Sequence, residues 1–274
     1  MRILLIKLKA TLPTVLALER FQCLEPLELG YLAAVVPAGH EVRVLDLRLH
    51  RFPDWTLKRE LGHFQPNLVG FTAYSHVSGH LKRLAGLVRR WLPNTRIVVG
   101  GHHATVAPDD CNLPVLDYIV RGEGCTPFRA LIAALNKGAE PEGVPHLLFT
   151  GDRYDPAAAA EWPRYPDPES LPLPRRDLWD SRAYSCIWAC EKPRHWQVLF
   201  PPVAMARTSY GCKMICSFCI VPLLCGGVHH PRPAEVVAEE LARIKADHVY
   251  FSDDENFIDE AYGFELAEAL ARRG

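Results

Sequence analysis

Residues 208–222 read TSYGCKMICSFCIVP, with Cys212, Cys216 and Cys219 spaced four and then three positions apart and Phe218 beside the last. Thiolates are soft ligands suited to zinc or to iron–sulfur clusters, and three on one short loop can face a common site if the backbone turns around it. Structural zinc is closed by four ligands, commonly as two separated pairs, whereas three thiolates on a four-iron cluster leave one iron open to another ligand. The stretch also offers a way to complete a structural metal site, because Cys225, His229 and His230 follow closely. A second group of donors is SDDENF, residues 252–257, which puts Asp253, Asp254 and Asn256 just after a predicted strand, where barrel-type folds place ligand contacts. The plainer role for Asn256 or for Asp259 is to cap the helix that follows. Cys186 and Cys190 lie four apart, but two thiols make a poor metal site; with Cys23, Cys111 and Cys125 they read as packing residues.

Such donors need a framework, and the composition supplies one. The chain has 274 residues, 49% of them hydrophobic, enough for two domains with substantial cores. Lys plus Arg (31) balances Asp plus Glu (32), so no net field selects nucleic acid, a membrane surface or a polyanionic substrate. The apolar start MRILLIKLKATLP is interrupted by lysine and too short to span a bilayer. A cytoplasmic protein without a membrane span is expected, its nine cysteines reduced unless a metal takes them.

Over the first 140 residues, apolar runs alternate with helical patterns. Strands are predicted at 2–7, 41–46, 67–72, 96–101 and 117–120, several of them apolar nearly throughout, as parallel strands buried on both faces are. One helix opens at Pro26 and stops at Gly39, and another follows Leu81, Leu84, Val88 and Trp91. A third has Thr126 as cap and Pro127 as first residue, with Gly138 closing it. Strand and helix in alternation imply an α/β doubly wound parallel sheet, whose ligands sit beyond the strands' carboxyl ends. Thr72, Ser75 and His76 fall there after the third strand, and Gly100, Gly101, His102, His103, Ala104 and Thr105 after the fourth. Arg121, Gly122, Glu123 and Gly124 follow the fifth. Paired glycines allow close backbone approach to a ligand, or merely tight turns. The dinucleotide fingerprint GxGxxG is missing after the first strand.

Between Gly151 and Pro202 stand nine of the 23 prolines and four of the six tryptophans, a mixture that resists regular structure yet is too aromatic for a free linker. An ordered, irregular connector packed on both neighbours is expected. Regular signals return with a strand at 203–208, the cysteine loop, a helix from Pro233 to Ile244, a strand at 248–252 and a helix from Asp259 to Arg272.

ELGYLAAVVPAGHEVRVLD, QPNLVGFTAYS, VVGGHHATVAP and YIVRGEG, in this order and spacing, resemble the cobalamin-binding domain at the front of B12-dependent radical S-adenosylmethionine (SAM) enzymes. Cys212-x-x-x-Cys216-x-Phe218-Cys219 is similar to the radical SAM signature. The resemblance implies a Rossmann-like, flavodoxin-type cobalamin-binding domain over 1–140, a connector over 141–200 and the first two βα units of a radical SAM partial barrel over 201–274. It implies that Thr72, Ser75, His76, Gly100, Gly101, His102, His103, Ala104, Gly122, Glu123 and Gly124 contact cobalamin. Cys212, Cys216 and Cys219 would hold a 4Fe–4S cluster whose open iron chelates SAM, with Phe218 near the adenine and Asp253, Asp254 and Asn256 as further SAM contacts. The first strand is followed by KLKATLP rather than Asp-x-His-x-x-Gly, so that loop offers no histidine to cobalt, which matches this subgroup.

The implied reaction is reductive cleavage of SAM to a 5′-deoxyadenosyl radical, followed by C-methylation of an unactivated carbon of a small-molecule substrate; ring formation and rearrangement also occur in the family. An electron donor such as a flavodoxin or ferredoxin is the implied partner. A complete barrel of this kind has about six βα units, so the sequence reads as truncated within the barrel, with an exposed strand edge. The competing reading is a cobalamin carrier or sensor whose cysteine loop is a structural metal site.

Overall fold

A computed structural model describes residues 1–10, 22–161, 171–186, 202–255 and 259–273. Asn256, Cys190, Trp162, Trp188 and Trp196 lie outside the described residues. The elements in chain order are β1 (Arg2–Lys7), β2 (Gln22–Cys23), α1 (Leu27–Ala34), β3 (Glu41–Asp46), α2 (Pro53–Phe64), β4 (Leu68–Thr72), α3 (Ser78–Trp91), β5 (Arg96–Gly100), α4 (His102–Val106), β6 (Tyr118–Val120), α5 (Cys125–Asn136), β7 (Leu147–Phe149) and α6 (Pro156–Ala160). They continue with β8 (Ser185–Cys186), β9 (Val203–Ala206), β10 (Ser209–Gly211), α7 (Val221–Cys225), β11 (His229–Pro231), α8 (Ala234–Ala242), β12 (His248–Phe251) and α9 (Glu260–Ala271). Two compact units emerge: Met1–Pro13 with Glu28–Pro163 and Asp177–Trp179, and Thr14–Leu27 with Arg164–Arg176 and Asp180–Gly274. Among the described residues no helix is long and apolar enough to cross a membrane.

The first unit is built on one sheet of order β3-β1-β4-β5-β6-β7, parallel except for the last pair. Counting its parallel strands along the chain gives 2-1-3-4-5, the flavodoxin-like order, with its switch point between β1 and β4. Ile3 to Ile6 of β1 and all of β4 are buried, as expected of strands covered on both faces. From α3, Leu81, Leu84, Ala85 and Val88 supply one apolar stripe to that core. Four elements of this unit escape the sequence pattern: α2, β7 and the five-residue helices α4 and α6. In α2, buried Leu57, Leu61 and Phe64 are interleaved with charges, and Trp55 stands exposed on the other side, which blurs the period. Antiparallel β7 has three residues, too few to show alternation. One boundary also shifts: α5 begins at Cys125 rather than Pro127, because the Glu123 carboxylate, not Thr126, accepts the first N–H groups, those of Cys125 and Thr126.

In the second unit, β9 and β12 pair in parallel with α8 between them in sequence, and α8 packs on α9 through Ala234, Val237, Ala238, Leu266 and Ala269. Asp259 caps α9 by accepting the Tyr262 N–H at 3.2 Å. The predicted strand at 203–208 stops at Ala206. The chain then turns into β10, which pairs antiparallel with β11 and carries the cysteine loop between the two. The expected exposed edge is covered on the β9 side. Glu25 accepts the Met205 N–H at 2.8 Å, Arg176 donates to the Met205 carbonyl at 2.6 Å, and Val203 donates to Tyr184 at 3.1 Å. Arg176 also pairs with Glu25 and with Glu240, and Glu240 with Arg232, a buried four-residue ion network. Among the described residues β12 has no strand on its other side, so the edge expected there is present. Of the connector expected over 141–200, β7 and α6 belong to the first unit, β7 pairing with β6, and the rest of its described part consists of short turns and β8, which pairs with β2.

Candidate functional site

In the first unit, the crevice beyond the carboxyl ends of β1 and β4 is where this topology receives ligands. Lys7 ends β1 there. It is buried, pairs with Glu28 and lies 4.8 Å over the Tyr74 ring. Burial alone would lower its pKa, but the Glu28 and Tyr74 charges outweigh that and hold it above the ordinary lysine value. Tyr74 also stacks on His76 with centroids 5.9 Å apart and meets His102 edge-on at 5.1 Å. The structure thus gathers His76 and His102 around a tyrosine that the sequence reading grouped with Thr72 and Ser75 but did not single out. A lysine closing an apolar strand signals an anion nearby, which is Glu28, and does not by itself mark Tyr74.

His103 turns inward. Its Nδ1 lies 3.1 Å from Ser75 Oγ and its Nε2 2.7 Å from Asp110, so the imidazole supports the exposed Ser75 hydroxyl. Hydrogen bonds from Lys82 and then His103 hold Asp110 below the ordinary carboxylate value. Thr72 and Ala104 are buried beside these groups. Gly101 adopts φ +98, and a Cβ there would meet the Ala73 carbonyl oxygen at 2.8 Å and Thr72 Oγ1 at 3.0 Å. Its glycine therefore serves the chain's own packing. Gly122 donates its N–H to Thr105 Oγ1 at 2.9 Å, Glu123 caps α5, and a Cβ on Gly124 would press on Leu32 at 3.1 Å. Cys111 is inert packing: burial, with Asp110 beside it, pushes its thiol up to about 12. Exposed Ser75, His76 and Gly122 around half-buried Tyr74 and His102 form a polar, aromatic rim that suits a large ligand with an amide-bearing periphery such as cobalamin.

In the second unit, Cys212 is buried at the end of β10, while Cys216 and Cys219 are half-buried farther along the loop. Cys219 donates its N–H to the Cys216 carbonyl at 3.1 Å, and Met214 donates to Cys212 Sγ at 3.3 Å. Cys225, in α7, sits behind Cys212: its sulfur accepts the Cys212 N–H at 3.4 Å and contacts the Cys212 carbonyl at 3.6 Å. Gly211 requires φ +80, and any side chain there would collide with the Val228 carbonyl and Cys225. Among the described residues no three His, Cys, Asp or Glu side chains gather around a point that one metal ion could hold. In donor type the loop suits a polynuclear cluster, where each thiolate takes its own iron. Around the thiols, Ile215 is 86% and Phe218 91% exposed, and Met214, Leu223 and Val228 are exposed as well, an apolar concentration of the kind that marks a binding surface.

The predicted carboxylates lie beside this loop. Asp253 is half-buried and accepts N–H groups of Thr208 and Ser209 at 2.7 and 2.9 Å; its partial burial raises its pKa against the pull of those bonds. Asp254 accepts the Gly211 N–H at 3.0 Å and pairs with Arg207 at 3.1 Å. Glu255, which the sequence reading passed over, accepts the Lys213 N–H at 3.3 Å.

The B12 binding domain family matches residues 13–132. Hopanoid C-3 methylase of Methylococcus capsulatus is 31% identical over 93% of this chain and 47% of its own length. An uncharacterized methyltransferase of Pyrococcus horikoshii is 26% identical over 91% and 53%. The chain thus spans about half the length of the curated relatives it matches. Among solved structures, the radical SAM methyltransferase TsrM of Kitasatospora setae superposes with a TM-score of 0.70 at 21% identity. The match covers 99% of this chain and 52% of that one in its form with cobalamin and a 4Fe–4S cluster bound. It covers 51% in the form with tryptophan substrate and a SAM analog. The chain thus has a B12 binding domain match over residues 13–132 and shares, along its length, the fold of about half of a radical SAM methyltransferase.

Proposed function

We propose that the chain is the cofactor-binding front of a cobalamin-dependent radical SAM enzyme, most simply a methyltransferase acting on an unactivated carbon of a small molecule. The observation that carries this reading is the succession along one chain of a B12-binding sheet and a loop presenting Cys212, Cys216 and Cys219 from the first strand pair of a second α/β unit. The three thiolates would hold a 4Fe–4S cluster, the residues around Tyr74 and the turns at Gly101 and Gly122 would hold cobalamin, and exposed Phe218 would lie against the SAM adenine. When bound, the cluster supplies the electron that cleaves SAM and cobalamin supplies a transferable methyl group. The chain's own part is to present three thiols on a loop anchored at Gly211 and to keep an apolar surface around them. Methyl transfer, rather than ring formation, is supported by two of the similar proteins being a methylase and a radical SAM methyltransferase. A cytoplasmic setting and a flavodoxin- or ferredoxin-type electron donor suit described cysteines that form no disulfide with one another, and the low-potential chemistry.

Anaerobic reconstitution with iron, sulfide and cobalamin tests this. About four iron and one cobalamin per chain are expected. One zinc per chain and no iron would instead support a carrier module with a structural metal site.

A further inference from the structure

The β9–β12 ladder ends where Ser252 donates to the Ala206 carbonyl at 2.9 Å. Beyond it β10 leaves the sheet, and its N–H groups need acceptors, since an unpaired one carries a desolvation cost. Three consecutive carboxylates take them. Asp253 Oδ1 accepts from Thr208 and Ser209, Asp254 Oδ2 from Gly211, and Glu255 Oε2 from Lys213. Asp253 Oδ2 is engaged as well, by the Thr208 hydroxyl at 2.8 Å. Arg207 offsets one of the three charges, pairing with Asp254 and donating to the Ser252 carbonyl at 3.2 Å.

From this geometry we propose that Asp253, Asp254 and Glu255 are positioning residues that clamp the backbone on either side of Cys212, with Asp253 Oδ1, Asp254 Oδ2 and Glu255 Oε2 committed to that backbone instead of to SAM. The proposal rests on the cluster reading of the loop only for its purpose; the clamp itself is a property of the apoprotein. Gly211 and Lys213, the immediate neighbours of Cys212, are both held by it, and Gly211 is blocked from behind by Val228 and Cys225. The carboxylate bonds to Gly211 at 3.0 Å and Lys213 at 3.3 Å hold the backbone that carries the Cys212 thiol before any cluster arrives.

Amide hydrogen exchange resolved to residues 208–213, in the protein without cluster or SAM, tests the clamp. Asp254→Ala is expected to speed exchange at Gly211 about tenfold. Asp254→Asn, which keeps an acceptor oxygen but no charge, should restore most of the protection. After reconstitution, Asp254→Asn should respond to SAM in electron paramagnetic resonance as the parent protein does. Unchanged exchange at Gly211 in Asp254→Ala, or loss of the SAM response in Asp254→Asn with exchange intact, would overturn the proposal and make Asp254 a ligand contact. If Asp254→Ala does not fold, Glu255→Ala stands in, and Lys213 protection that survives it would likewise overturn the clamp. Failure of the parent protein to take up iron would count against the proposed function while leaving the exchange result to decide the clamp.

Discussion

At Gly101 the turn from β5 into α4 combines a positive φ with an Ala73 carbonyl where a methyl group would stand. Gly101→Ala is expected to cost about 1–3 kcal/mol in urea unfolding, from strain and contact together; an unchanged midpoint would contradict this. Asp110 gives a pH test. Its folded pKa lies below the ordinary 3.8, so its bonds to Lys82 and His103 contribute stability above that value and lose it as pH falls through the lower folded value. Asp110→Asn should therefore be less stable than the parent near neutral pH, with the gap closing in acid. Thermal unfolding across pH measures it, and a gap that widens in acid would be the wrong sign. Among the thiols, alanine at Cys212, Cys216 or Cys219 should each abolish iron retention, whereas Cys225→Ala should keep it, because the Cys225 sulfur bonds the Cys212 backbone. Iron analysis of the four variants decides.

Elements differ in how far they could be read from the chain alone. β1, β4 and β5 were legible because strands buried on both faces are apolar nearly throughout. β10 and β11 were not, since three-residue strands show no period and their pairing closes through Gly211 and His229 across the cysteine loop. Nor was the cover on β9: Glu25 and Arg176 come from distant parts of the chain and announce themselves only as ordinary charged residues. That cover is also energetic. Glu25 is 1% exposed and Glu240 3%, so breaking the network from one side leaves a buried charge. Glu25→Ala is expected to destabilise the protein by about 3–5 kcal/mol in chemical denaturation; a change within the range of a surface substitution would show the network to be dispensable.

Over the whole molecule, chemistry was easier to read than its support. Spacing drew attention to Cys212, Cys216 and Cys219, whose cluster role came from the resemblance to the radical SAM signature, and glycine turns drew attention to the carboxyl edge of the first sheet. The groups that hold these parts, Asp253 to Glu255 for the loop and His103 with Asp110 for Ser75, act through bonds that spacing does not encode. The central claim is that three thiolates from one clamped loop leave an iron open to SAM. Electron paramagnetic resonance of the anaerobically reconstituted, reduced protein, recorded before and after SAM is added, tests it most directly. A four-iron signal whose g-values shift on addition is the expected result, and a signal indifferent to SAM would contradict it.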